Sequence, residues 1–298
     1  MGASYQHRLA ALTSKHEKGK AMALPFNAGL GLKLSFAEEV DTDLLGTFTG
    51  EIERLGTPRE TVSAKARLGM EALGLPLGLA NEGSFGPHPL LLFVPGTEEL
   101  MVFIDDELGI EVCERLISTE TNYASVGTAS IDNLQGFLGQ VKFPSHALIV
   151  RANQPQSVVS VGSRAALNET GAGKIFKGLR SLDQLEQAIK LCRTESGDGL
   201  ALVQTDMRAH MNPTRMRLIR KLAIKLTRRL QKLCELCQCP GWGLTGVEPG
   251  LPCGLCGFPS DAARFEIYSC PRCEHKAKLP RQDGLTHVDP GACQRCNP

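Results

Sequence analysis

The residues in this 298-residue chain with the plainest capacity for chemistry are its thiols. Nine of the eleven cysteines fall in the last 65 residues, and eight of them form four Cys-x2-Cys hooks: Cys234/Cys237, Cys253/Cys256, Cys270/Cys273 and Cys293/Cys296. Fifteen residues separate the first two hooks and nineteen the last two, a spacing that suits a four-cysteine zinc site. Two thiolates on one tight turn can share an ion at about 2.3 Å, and two such turns complete a tetrahedron. Two structural zinc ions are therefore expected, with the hooks paired in sequence order; interleaved pairing, hook one with hook three, is the alternative. Disulfides would need an oxidising compartment. The N-terminal stretch shows no apolar signal-peptide core, and no run approaches the ~20 apolar residues of a membrane helix. A cytoplasmic protein without membrane contact is expected. Cys239 is surplus to the hooks, as a bystander or an alternative ligand. Cys113 and Cys192 read as buried bystanders, and His275 and His287 as bystanders inside the zinc module.

A second set of residues suits phosphate chemistry. Hydrolysis of a phosphoanhydride needs cations on the phosphates and carboxylates that hold Mg2+. Lys15, Lys18 and Lys20 follow the first apolar run, and Lys65 lies in a helical segment. Glu51, Glu53, Glu82 and the run Asp105-Asp106-Glu107 supply carboxylates. Two of these would suffice for Mg2+. The net charge of +1 gives no global case for nucleic acid, but residues 207–233 carry nine basic side chains and no acidic one. That stretch and the zinc module are the expected nucleic-acid surface.

The elements that must position these groups alternate in type. Strands are expected at Leu9 to Thr13, Leu32 to Phe36, Leu77 to Ala80, His146 to Arg151 and Leu200 to Gln204, and a hairpin from Leu90 to Val94 and Leu100 to Ile104 around Pro95-Gly96. The segment NEGSFGPHP reads as a polar turn. Helices are expected at Ala21 to Leu30, Pro58 to Leu73 and Ser181 to Cys192. A longer one runs from Pro213 to Leu233, capped by Asn212, with Met216, Ile219, Ala223, Leu226, Leu230 and Leu233 as its apolar stripe. The fold class is α/β. The expected organisation is an α/β body over 1–212, a basic connecting helix over 213–233 and a zinc-ribbon module over 234–298.

Three segments in order resemble the inosine triphosphate pyrophosphatase and Maf family of nucleotide hydrolases. They are Thr13-Ser14-Lys15-His16-Glu17-Lys18; Glu53-x-x-Gly56 followed by Glu60 to Arg67; and Gly74-Leu75-Pro76 followed by Leu79-Ala80-Asn81-Glu82-Gly83-Ser84. A fourth, Thr205-Asp206-Met207-Arg208 with Asn212-Pro213-Thr214-Arg215, is similar to that family's closing segment. The resemblance implies a mixed sheet flanked by helices and a Mg2+-dependent nucleoside triphosphate pyrophosphatase. In it Glu82 and Lys65 would be catalytic, and Thr13, Ser14, Lys15, Lys18, Arg208, Asn212 and Arg215 would bind substrate. Mg2+ would be held by Glu53 and Glu82, with Asp105 and Asp106 as further candidates from the carboxylate pattern. The sequence departs from the family at Lys15, where asparagine is usual, and at Asn81-Glu82, where the family has two aspartates; its base-pocket segment is not visible. The whole chain, with its GTFTGEIER, ANEGSFGPHP and FIDDELG segments, also resembles a bacterial family of unassigned function. Two functions follow as expectations: a nucleotide phosphohydrolase with a structural zinc module, or a non-enzymatic nucleic-acid- or protein-binding protein with a degenerate nucleotide-binding body.

Overall fold

The computed structural model describes residues 5–14, 16–40, 56–89, 91, 93–153 and 174–298. Its first sheet is built from β1 (Leu9–Leu12), β2 (Lys33–Phe36), β3 (Leu77–Pro87), β4 (Pro95–Asp105) and β5 (Ile110–Ser118), in the order β2-β1-β3-β4-β5. β1 runs parallel to both β2 and β3, while β3, β4 and β5 form an antiparallel meander. The crossovers that parallel pairing requires are α1 (Gly19–Leu30), between β1 and β2, and α2 (Pro58–Leu73), which precedes β3.

The expected hairpin around Pro95-Gly96 is not formed. β3 continues through Asn81-Glu82-Gly83-Ser84-Phe85-Gly86-Pro87 as strand, because its ladder to β4 is unbroken from Leu77 opposite Asp105 to Pro87 opposite Pro95. Pro95 and Gly96 are the first residues of β4, not a turn. Turn residues alone suggested a break; eleven residues of continuous pairing outweigh them.

Period-two alternation gives the sheet two apolar faces. Leu77, Leu79, Met101 and Phe103 point to the side covered by α1 and α5 (Pro213–Leu230). Ala80, Leu100, Val102 and Ile104 point to the side covered by Val62, Ala66 and Met70 of α2. α2 begins with a reciprocal cap: Thr57 Oγ1 accepts from the Glu60 amide, and the Glu60 carboxylate accepts from the Thr57 amide at 2.8 Å. Gly69 brings this helix close to β1, where a Cβ would lie 2.0 Å from Thr13 Oγ1.

A second sheet, β6-β9-β7-β8, is formed by β6 (Ser125–Thr128), β7 (Leu148–Ala152), β8 (Phe176–Leu179) and β9 (Ala201–Thr205). Its core includes α4 (Leu182–Thr194) and is flanked by the short α3 (Gln135–Gln140). The body is therefore two sheets with separate cores. The tail folds as a three-stranded antiparallel meander of β10 (Gly243–Pro249), β11 (Ala263–Ser269) and β12 (Lys276–Pro280).

α5 is not a connector. Ile219, Leu222, Ala223, Leu226 and Leu230 are buried in the same core as Phe26, Met101 and Phe103, and Cys234, Cys239 and Cys270 belong to that core too. The cysteine-rich tail thus shares its first half with the body.

Candidate functional site

At the end of β1 the sheet leaves an edge open. The Thr13 amide donates to the Leu79 carbonyl, after which the chain turns away. The Asn81 carbonyl, two residues further along the same edge of β3, is taken instead by Lys18 Nζ at 2.7 Å. On the α2 side of β3, Lys65 Nζ lies 2.7 Å from Glu82 Oε2, with both side chains about nine-tenths buried. On the α5 side, Arg215 Nε lies 2.7 Å from the fully buried Glu99, and Arg215 Nη1 donates to the Met207 carbonyl at 2.6 Å. Asn81 Nδ2 donates to Glu99 at 3.0 Å and to the Leu100 carbonyl at 2.8 Å, leaving its buried Oδ1 without a partner. Lys18 sits at the seam where these two sets meet.

The second sheet closes over this seam. The His16 and His210 rings approach to 5.1 Å, joining the loop after β1 to the loop after β9. Arg208 forms a forked pair with fully buried Asp206, its Nη2 at 2.6 Å from Oδ2. Asn212 caps α5 through the Arg215 amide, and its Nδ2 donates to Asn122 Oδ1 at 2.8 Å.

The electrostatics lean positive. Lys18, Lys65, Arg208 and Arg215 face Glu82, Glu99 and Asp206. Burial pushes Lys18 down to about 7, aided by Arg215 and opposed by Glu82 and Glu99. Burial also pushes His16 down to about 3, with Lys18, His210, Arg215 and Arg208 adding to the effect. His210 is lowered by burial and by Arg208. Among the described residues Lys18 forms no ion pair. A buried ammonium with one backbone acceptor and cationic neighbours favours an anionic ligand.

The sequence-derived site residues are distributed unevenly. Thr13, Ser14, Lys18, Lys65, Glu82, Arg208, Asn212 and Arg215 surround or support this seam. Lys15 and Glu53 lie outside the described residues, as does Glu51. Asn212 is fully buried and its amide is committed to the α5 cap and to Asn122, so it positions Arg215 and does not itself meet a ligand. Asp105 and Asp106 do not join the site. Asp105 is opposite Leu77, five residues down the ladder from Glu82, or about 16 Å at ~3.3 Å per residue. Asp105 accepts from Tyr5 Oη and from the Glu107 and Leu108 amides, which makes it the organiser of the β4–β5 turn, and Asp106 pairs with Arg67 at the surface. Glu99, Asp206, His16 and His210 were missed. Glu99 had a signal: it shares the inward parity of Met101 and Phe103, where a carboxylate needs a partner.

The eight hook cysteines form two groups: Cys234, Cys237, Cys270 and Cys273, and Cys253, Cys256, Cys293 and Cys296. Pairing in sequence order is thereby corrected to interleaved pairing. The cause is the meander. Hook one precedes β10 and hook three follows β11, and Gly243 opposite Ser269 brings them to one end. Hook two lies in the β10–β11 connection at the other end, and β12 runs back there to deliver hook four. Sulfur separations of 3.6 Å for Cys234–Cys273, 3.5 Å for Cys237–Cys270, 3.9 Å for Cys253–Cys296 and 3.8 Å for Cys256–Cys293 are near the ~3.8 Å edge of a tetrahedron with ~2.3 Å metal–sulfur bonds. The residue after the second cysteine has positive φ in three hooks, at Gln238, Gly257 and Glu274. That conformation turns the chain back around the thiolates. The Leu255 and Arg272 amides donate to Cys253 and Cys270 sulfur at 3.4 Å. Each group can hold a structural metal ion such as zinc and leaves no open position for substrate.

Cys239 joins neither group; it is buried and its thiol is pushed up to about 11 by burial. Cys192 is buried in the second core, where burial likewise raises its thiol to about 11, and burial raises the Cys113 thiol. His275 stacks on Trp242 at 5.0 Å and pairs with Glu235, while His287 contacts Thr286.

No helix among the described residues is long and apolar enough to cross a membrane. A family model described as "Domain of unknown function (DUF6671)" matches residues 65–298. No curated protein and no solved structure matches the chain.

Proposed function

We propose, for a chain that belongs to the DUF6671 family of unknown function, that the open edge of β3 binds the phosphates of a nucleotide and promotes their hydrolysis. The observation that carries this reading is Lys18, a buried amine with no carboxylate partner among the described residues, flanked by Arg215 and Lys65. An incoming phosphate oxygen would supply the charge that Lys18 lacks. Thr13 Oγ1, buried and without a partner, is a ready donor to the same oxygens. Glu82, held in place by Lys65, is the described carboxylate able to orient a water and take its proton. Arg215 and Arg208 are engaged by Glu99 and Asp206, so they contribute field and shape in place of direct contact. The order of loop, helix lysine and strand carboxylate is that of the inosine triphosphate pyrophosphatase and Maf hydrolases, which supports the reading.

Mg2+ does not fit the described carboxylates. Glu82 is already bonded to Lys65, Glu99 lies on the opposite face of β3 under Arg215, and Asp105 and Asp106 are remote. These same pairings favour a second reading, nucleotide binding without turnover. The test is a panel of nucleoside triphosphates with and without Mg2+, followed by calorimetry for binding and by phosphate and pyrophosphate release. Release that is lost in Lys18→Ala and Glu82→Gln supports hydrolysis. Binding without release supports the second reading. If no nucleotide binds or is cleaved, the seam is a structural charge network and both readings fall.

A further inference from the structure

The side of α5 facing the tail carries a separate feature. Lys221, Lys225 and Arg228 follow one another at intervals of four and three residues, which sets neighbours about 5–6 Å apart along one helical stripe, and Lys232 lies just beyond the end of the helix. This stripe walls a groove of about 290 Å3 whose opposite wall is Trp242, Leu244 and Tyr268 of the cysteine-rich meander.

The groove is rigidly built. Arg229 donates to the Gly241 carbonyl at 3.0 Å, to the Cys113 carbonyl at 3.1 Å and to Glu114 at 3.0 Å, fastening helix, body and tail together. A Cβ at Gly243 would lie 2.7 Å from Arg229 Nε, so the close approach depends on glycine there. Trp242 stacks on His275 with the planes 17° apart, which fixes its ring. The charge is strongly one-signed: Lys221, Lys225, Arg228, Arg229 and Lys232 line the groove against Glu114 alone. Lys225 and Arg229 share that carboxylate, and Lys221 meets Glu120 in a pair more than half exposed on the lysine side. Among the described residues Arg228 and Lys232 have no ion pair.

We propose that this groove binds single-stranded nucleic acid, with a base against Trp242 and successive phosphates along the α5 stripe. A row of cations at regular spacing matches a polyanion better than a single acidic group. A fixed, partly exposed indole beside that row adds a stacking surface that every base can use. A duplex would be a poor fit, because the groove is walled on both sides, by α5 and by the meander. The geometry also reassigns two basic residues. Arg220 points to the other flank of α5 and donates to the Lys20 carbonyl, and Arg229 is an internal fastener, so neither is a ligand contact. The groove is separate from the β3 edge, so its test is independent of the nucleotide reading.

The chain has a single tryptophan, so Trp242 emission reports on this groove alone. The experiment titrates the metal-loaded full chain with a fluorescein-labelled single-stranded RNA of about 12 nucleotides, reading anisotropy and tryptophan emission together, at several salt concentrations. Binding should quench Trp242 and weaken steeply with salt. Lys221→Glu with Arg228→Glu and Lys232→Glu should abolish the quench and flatten the log–log salt dependence by about 2, from three lost phosphate contacts at ~0.7 each. Trp242→Leu should weaken binding about tenfold while Trp242→Phe retains most of it. Retained metal content in each variant separates loss of binding from loss of fold. Absence of quench and anisotropy change at low salt overturns the proposal. So does undiminished binding by the triple variant, or equal quenching by polyglutamate, which would make the stripe an acidic-peptide surface.

Discussion

A lysine amine buried beside Arg215 resists protonation, and that has a pH signature at Lys18. Its folded value is about 7, while in the unfolded chain it titrates near 10.4. The unfolded state therefore binds more protons between these values, so this group makes stability rise with pH across that window. Anion binding has the opposite demand, because it needs the ammonium. Nucleotide affinity should fall as pH rises from about 6 to 8.5, and calorimetry in buffers of different ionisation enthalpy should show proton uptake on binding near pH 8. Affinity that is flat over this range would mean that Lys18 does not meet the ligand. The Lys65–Glu82 pair makes a second residue-scale prediction. Both partners are mostly buried, so removing one leaves a charge without its counter-ion. Glu82→Gln should destabilise the fold by about 3 kcal/mol in chemical denaturation, and Lys65→Met with Glu82→Leu should recover much of that loss. A single-variant effect below ~1 kcal/mol would show that water already screens the pair.

Among elements, the meander decides which thiols share an ion. With Cys253→Ser and Cys256→Ser, the group at Cys234, Cys237, Cys270 and Cys273 should keep one equivalent of metal and resist alkylation, as mass spectrometry of the modified peptides can read. Pairing in sequence order would instead leave Cys234 and Cys237 open to alkylation in this variant, because their ion would have lost half of its ligands. The hooks, the opening of α2 at Pro58 and the start of α5 at Asn212 are all legible in the sequence, because each rests on short-range geometry within a few residues. The pairing of the hooks was not, since it depends on which strand ends meet. β3 was misread for a related reason: Gly83, Gly86 and Pro87 look like turn residues locally, and the long ladder to β4 that holds them extended is invisible to a window of that size. The basic stretch of α5 reads in the sequence as a nucleic-acid surface with no acidic neighbour, yet Glu114 and Glu120, about a hundred residues earlier, neutralise part of it.

For the whole molecule, the tail is continuous with the body. Cys234, Cys239 and Cys270 are buried in the core that contains Phe26, Ile219 and Leu226, and Trp242 packs against it. Removing residues 234–298 should strip cover from α5 and give an aggregating or strongly destabilised product. Chelation of the full chain should lower the melting temperature of the body as well as unfold the meander, because metal binding and folding share one free energy in such modules. A body transition unmoved by chelator, followed by tryptophan-independent probes such as far-ultraviolet circular dichroism, would show that the two halves fold independently. The crossed pairing of the hooks bears on ancestry as well as on stability. If each ion were held by neighbouring hooks, either ribbon could be duplicated, lost or transplanted as a self-contained cassette. Here a cut at any point between Cys237 and Cys293 severs at least one ion from half of its ligands. The tail can be inherited only entire, so recombination at its outer borders, and not within it, is the route by which such a segment could pass from one protein to another.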